Sequence, residues 1–122
     1  MTSPSTSYPE RTREISAALA PMRKSQSGTM QAFNQLAQSA LAAGALPPKF
    51  KELLALALGV AAHCDGCIGF HAKALVGLGA TRAEVEETLA VAVYMGGGPS
   101  LMYSADALAA FEQFARLAAT PA

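Results

Sequence analysis

Residues Leu53 to Ala62 form ten consecutive apolar or small positions, and no other stretch constrains the fold as much. The run is too short to span a bilayer, which takes about 20 such residues in a helix. It lacks the apolar–polar alternation of a half-buried strand. Pro47-Pro48 precede it, and proline suits the first turn of a helix, where a missing N–H costs nothing. A helix is therefore expected over about 49–62, apolar nearly all round after Glu52 and lying inside the fold. Gly59 within it permits a close helix crossing.

The rest of the chain carries the same helical spacing. Ile15, Leu19 and Met22 mark a first helix over about 10–22, and Ser25 to Gly28 a break. Phe33, Leu36, Ala37, Ala40 and Leu41 share one face of a second helix over 30–43, with Gly44 placed for a left-handed C-terminal residue. A fourth helix is expected from about Gly66, where glycine permits a sharp turn, to Val76, closed by Gly77 to Ala80. Thr81 and Glu84 form a capping box that starts a fifth helix reaching about Met95, with Val85, Leu89, Ala92 and Val93 inward. Gly96-Gly97-Gly98-Pro99 breaks it, and a sixth helix over 100–117 carries Leu101, Leu108, Phe111 and Phe114.

These signals predict an all-α fold: one compact domain of about six helices over residues 10–118, since 122 residues are too few for two ordinary domains. Residues 1–9, polar and rich in Ser, Thr and Pro, read as a flexible arm without the features of a signal peptide. The expected compartment is the cytoplasm. A net charge of zero and the lack of any basic run exclude electrostatic binding of nucleic acid, and no segment suits a membrane. With 52% hydrophobic and only 15% charged residues, the chain is expected to bury part of its surface against copies of itself.

Chemistry is concentrated in His63-Cys64-Asp65-Gly66-Cys67-Ile68-Gly69-Phe70-His71. Two cysteines three apart can close a small disulfide loop. At a helix start they also meet unpaired backbone N–H groups and the positive end of the dipole, which favour thiolate over thiol. His71, four residues after Cys67, shares its helical face and can take or hold the thiol proton. Cys64 is then placed to resolve an adduct on Cys67, which is dithiol–disulfide exchange. No bound cofactor is needed, because the redox equivalents reside in the sulfurs. For His63 the reading is a surface residue or helix C-terminal cation, and for Asp65 a turn or N-cap residue. Tyr94, Met95, Met102 and Tyr103 read as packing in the core or between subunits, or as lining a pocket over Cys67.

Glu52 is the one acid between Glu14 and Asp65. In an antiparallel hairpin it lies about 15 Å from the turn and His71 about 7 Å, at 1.5 Å per residue. The levels differ, so direct contact is expected only through a bend, a crossing angle or a bridging water. On residues alone Glu52 is either a charge complementing a helix N-terminus or an orienter of His71. A metal site from His63, Cys64, Cys67 and His71 is an alternative, disfavoured because these ligands fall in one short stretch. A non-catalytic helical oligomer with a vestigial or regulatory cysteine pair is another.

Glu52, eleven intervening residues, Cys64-x-x-Cys67, three more and His71 together resemble the core motif of the alkylhydroperoxidase AhpD-like, or carboxymuconolactone decarboxylase, family. The segment from Val91 to Tyr103, with its Gly-Gly-Gly-Pro break, is similar to that family's C-terminal half. The resemblance implies a helical fold assembling as homotrimers or homohexamers. It implies a peroxide-reactive Cys67, a resolving Cys64, and Glu52 and His71 as a proton relay. The implied activity is CxxC-dependent thiol–disulfide exchange with hydroperoxide reductase function in antioxidant defence. The implied partners are a hydroperoxide or disulfide substrate and an external dithiol reductant, either a lipoylated or a thioredoxin-like protein. One position departs from the pattern: founding AhpD proteins carry a His before the second Cys, where this chain has Gly66. Lactone decarboxylation is disfavoured, since that branch generally lacks the CxxC.

Overall fold

A computed structural model describes residues 7–120 of the chain. It is all-helical, and no strand occurs among the described residues. The helices are α1 (Tyr8–Ser25), α2 (Ser27–Leu41), α3 (Pro48–Ala61), α4 (Asp65–Gly77) and α5 (Arg82–Ala119). The predicted fifth and sixth helices are the two segments of α5, separated at Gly97, whose φ of 71° and ψ of −154° are not helical. Glycine reaches that region without a Cβ penalty, so the break falls within the Gly-Gly-Gly-Pro stretch.

α3, α4 and both segments of α5 pack against one another. Leu56, Val60, Ile68, Ala72, Leu75, Val85, Ala107 and Ala110 are fully buried there. Each large aliphatic side chain so buried is worth about 1.5–3 kcal/mol relative to exposure. The capping box is present as expected: Thr81 Oγ accepts from the Glu84 N–H at 3.1 Å, and Glu84 accepts from the Thr81 N–H at 2.9 Å. That backbone bond, then the hydrogen bond from Lys49, hold the Glu84 carboxyl below its ordinary pKa.

Several expectations are corrected. The first six positions of the expected arm lie outside the described residues. Ser7 instead caps α1, and Tyr8 and Pro9 begin it and are buried. The anchor is long-range: the Tyr8 N–H donates to Gln113 Oε1 at 2.7 Å on α5. α3 does not lie wholly inside. Glu52, Leu53, Leu56, Gly59 and Val60 face inward, whereas Phe50, Leu54 and Leu58 form an outward stripe at four-residue spacing. Two neighbouring helices can cover only part of a helix circumference. α2 buries none of its residues, and Phe33 and Leu36 are 65% and 63% exposed. Tyr94, Met95 and Met102 are also exposed, so none is a core residue of the single chain.

Helix ends differ from expectation in an instructive way. Gly44 is not left-handed. The non-glycine residue with positive φ among those described is His63, at 56°. Its N–H donates to Val60 O at 3.0 Å and the Cys64 N–H donates to Gly59 O at 2.9 Å. This paired closure of a helix C-terminus is a Schellman motif with histidine where glycine is usual. Gly79, at φ 75°, closes α4 identically, through Gly79 N–H to Val76 O and Ala80 N–H to Leu75 O. Gly66 is not the turn glycine; it lies within the first turn of α4.

Candidate active site

The Schellman turn at His63 ends α3 and delivers Cys64 directly as the N-cap of α4. Cys64 Sγ accepts from the Cys67 N–H at 3.2 Å, so a sulfur takes the place of the usual capping oxygen. The two sulfurs are joined in a disulfide, with Cα atoms 5.2 Å apart, well inside the range such a bond spans. Both residues are half-buried, at the mouth of the α3–α4 hairpin.

Two residues before the end of α3, Gly59 faces Cys67. A Cβ at 59 would stand 3.1 Å from Cys67 Cβ, so only glycine lets the helices come this close without adjustment. Deeper along the same interface, His71 Nδ1 and Glu52 Oε1 are 2.6 Å apart. Glu52 is buried and His71 half-buried. A buried carboxylate needs a partner, and the imidazole supplies it. With Glu52 ionised, the proton of this bond sits on Nδ1, which leaves Nε2 as the basic nitrogen. Cys67 and His71 share a face of α4 by their spacing.

The direct Glu52–His71 contact corrects the level arithmetic. α3 ends at Ala61 and α4 begins at Asp65, so the helical rises from the turn are about 13.5 and 9 Å at 1.5 Å per residue. The remaining offset of about 4.5 Å is within the reach of a glutamate and an imidazole side chain. No bridging water is required.

The other candidates lie elsewhere. The His63 ring is stacked on Tyr103 of α5, with centroids 4.8 Å apart and planes parallel. Among the described residues no group of three His, Cys, Asp or Glu side chains could hold a metal ion. Within the same limits, no helix is long and apolar enough to cross a membrane. One feature escaped sequence reasoning. Asp65, enclosed between the two cysteines, accepts from Tyr8 Oη at 2.8 Å and from Arg11 Nε at 3.4 Å, both on α1. No local pattern signals a partner 57 positions away.

The model of the carboxymuconolactone decarboxylase family matches residues 28–110, which include Glu52, both cysteines and His71. The chain belongs to the carboxymuconolactone decarboxylase family. Its fold is similar to the crystal structure of apo-lpg0406, a carboxymuconolactone decarboxylase family protein from Legionella pneumophila. The TM-score is 0.87 and the identity 56%, covering 88% of this chain and 96% of that one. A protein from Thermotoga maritima is similar with a TM-score of 0.75 and 27% identity, covering 91% and 95%. An uncharacterised protein of Cupriavidus necator is 39% identical over 102 residues, 84% of this chain and 90% of its own length. A carboxymuconolactone decarboxylase family fold thus holds a disulfide-bonded CxxC pair at the start of α4 and a carboxylate–imidazole pair between α3 and α4.

Proposed function

We propose that the protein is a CxxC-dependent thiol–disulfide oxidoreductase that reduces hydroperoxides. The observation that carries this reading is the Glu52–His71 hydrogen bond on the face of α4 that also bears Cys67. In the reduced protein, His71 Nε2 takes the Cys67 proton, and Glu52 stabilises the resulting imidazolium. The thiolate attacks the terminal oxygen of the hydroperoxide. The O–O bond breaks, Cys67 becomes a sulfenic acid, and the departing alkoxide takes the proton back from His71 to leave as an alcohol. Cys64 then attacks the Cys67 sulfur, water departs, and the disulfide closes. An external dithiol, on a lipoylated or thioredoxin-like protein or a small molecule, reopens it by exchange and is itself oxidised. The site's part of the cycle resides in the sulfurs and the relay.

The same reading includes assembly as trimers or hexamers, supported by the exposed apolar side chains of α2, α3 and α5. Patches of this kind in small chains mark contact surfaces.

The test is steady-state peroxide turnover with a panel of dithiol donors. Wild type is expected to turn over with at least one donor, and Cys67→Ser to lose turnover with its helical spectrum intact. Failure of every donor refutes the reading. A second assignment of the sulfurs has one observation in its favour. The Cys67 N–H points at Cys64 Sγ, and such a donor stabilises a thiolate at Cys64. Single-turnover peroxide consumption separates the two. Retention in Cys64→Ser, with a trappable sulfenic acid, assigns attack to Cys67, and retention in Cys67→Ser assigns it to Cys64.

A further inference from the structure

α1 covers the side of α4 opposite the relay, and it does so over the residues that lie within and just after the CxxC. A Cβ at Gly69 would stand 2.7 Å from Thr12 Cγ2 and 3.2 Å from Tyr8 Cδ1, and one at Gly66 would stand 3.3 Å from Ile15 Cδ1. α1 is itself fixed at this end. Tyr8 is buried, its N–H donates to Gln113, and Thr12 Oγ1 donates to Pro9 O at 3.1 Å. From this seat Tyr8 and Arg11 reach the two oxygens of one carboxylate, that of Asp65.

Asp65 poses a conflict. At the first position of α4 a negative charge suits the positive end of the helix dipole. The same charge lies within the loop that the disulfide closes, one residue from Cys64 and two from Cys67, and a like charge so near opposes a thiolate. We propose that Tyr8 and Arg11 are positioning residues that hold the Asp65 carboxylate against α1 and neutralise it, so that the helix keeps its N-terminal acid while the cysteine pair keeps its thiolate. The inference rests on the thiol chemistry proposed above.

The charged surroundings are few. Arg11 and Tyr8 face Asp65 from α1. Asp106 faces it from α5, and partial burial followed by the charge of Asp65 raises the Asp106 carboxyl above its ordinary pKa. His71 and Glu52 lie on the α3 side. Of the groups around Asp65, Arg11 is the cation paired with it, at 3.4 Å. An ion pair this accessible contributes little to stability. Its removal should therefore be read in the thiols and not in the melting curve.

The experiment titrates the reduced thiols, by thiolate absorbance and by the pH dependence of alkylation, and measures the disulfide potential. It is run on wild type, Arg11→Met, Asp65→Asn and the double variant. In Arg11→Met the reactive thiol is expected to rise by about half a pKa unit, cutting the thiolate fraction about threefold near neutral pH. At pH well above the thiol pKa, where the reduced form is ionised, the same shift makes the disulfide more reducing by up to about 14 mV, the equivalent of threefold for a two-electron couple at 29.6 mV per tenfold. In Asp65→Asn the thiol falls, and adding Arg11→Met to it changes nothing further. Tyr8→Phe, which removes one oxygen, moves the thiol in the same direction as Arg11→Met and serves if that variant does not fold. An unshifted thiol in Arg11→Met and Tyr8→Phe overturns the proposal. So does a shift of equal size in the Asp65→Asn background, because Arg11 then acts on the sulfurs without Asp65. None of these readings needs peroxide turnover, so a protein without peroxidase activity leaves this test intact.

Discussion

On its α3 side, α4 meets Gly59 at Cys67 and the Glu52 carboxylate at His71. On its α1 side it meets Thr12 and Tyr8 at Gly69, Ile15 at Gly66, and the Tyr8 hydroxyl and Arg11 at Asp65. Both interfaces combine a close backbone approach at glycine with a carboxylate on a polar partner. They differ in what the polar contact touches. The α3 contact orients a group that can move a proton. The α1 contact engages a carboxylate that cannot serve as the nucleophile but sits between two sulfurs that can. In the proposed chemistry, one helix is supplied with reactivity from one flank and with restraint from the other. The same geometry of small residues serves both, because short side chains let polar groups cross a narrow gap.

The largest expected effect breaks this contrast or upholds it. Glu52→Gln keeps a hydrogen-bonding group beside His71 Nδ1 but removes the charge that stabilises an imidazolium. A fall of about a hundredfold in kcat/KM for peroxide is expected, the lower part of the range for a proton-transfer group. The helical spectrum should be unchanged. Activity within twofold of wild type would leave the α3 flank without the proton-moving part that sets it apart from the α1 flank.

Next come the glycines, as changes in unfolding free energy measured with denaturant. Gly69→Ala drives a methyl to 2.7 Å from Thr12 Cγ2. Thr12 is buried and tied to Pro9 O, so it has little room to retreat. The expected loss is about 1–3 kcal/mol, the cost of overpacking a tight site. Gly59→Ala meets Cys67 Cβ at 3.1 Å, a milder contact, but that atom is held by the disulfide and by α4. About 1 kcal/mol is expected, since the strain is partly offset by the better helix propensity of alanine. The two should separate in activity. Gly59→Ala displaces the helix that carries Glu52 and lowers turnover, whereas Gly69→Ala acts on stability first.

Much of this was legible in the chain and some was not, for physical reasons. The all-helical class followed from spacing, and the breaks near Gly79 and Gly97 followed from residues that tolerate positive φ. His63 did not announce itself as a left-handed residue, because a side chain with a Cβ rarely adopts that conformation. Cys64, Cys67, His71 and Glu52 were readable as chemical types. The contact between the last two depended on where each helix begins and ends, a matter of one residue at each end that shifts the levels by several ångströms. The outward stripe on α3 and the bare face of α2 carry the same apolar periodicity as a core face, and periodicity does not say what a face meets. The partners of Asp65 lie 54 and 57 positions away and leave no local trace.

The smallest expected effect sharpens the comparison most finely. Gly66 lies between the two cysteines on the α1 flank, and a Cβ there would stand 3.3 Å from Ile15 Cδ1. That atom is the tip of a flexible side chain on a half-buried residue, so it can yield by a few tenths of an ångström. Gly66 sits in the first turn of α4 with an ordinary helical backbone, so alanine also removes unfolded-state freedom. The two contributions nearly cancel, and Gly66→Ala should change stability by no more than about 0.5 kcal/mol, with a bias toward stabilisation. A larger residue at this position has no such allowance. Histidine, which founding AhpD proteins place here, would have to displace Ile15 and the α1 turn that carries it, so Gly66→His should cost more than Gly66→Ala and weaken the Tyr8–Asp65 bond with it. If both variants prove equally stable, α1 yields as a whole where the side-chain contacts imply that only Ile15 can. The restraint assigned to that flank would then be too soft to hold a carboxylate in place.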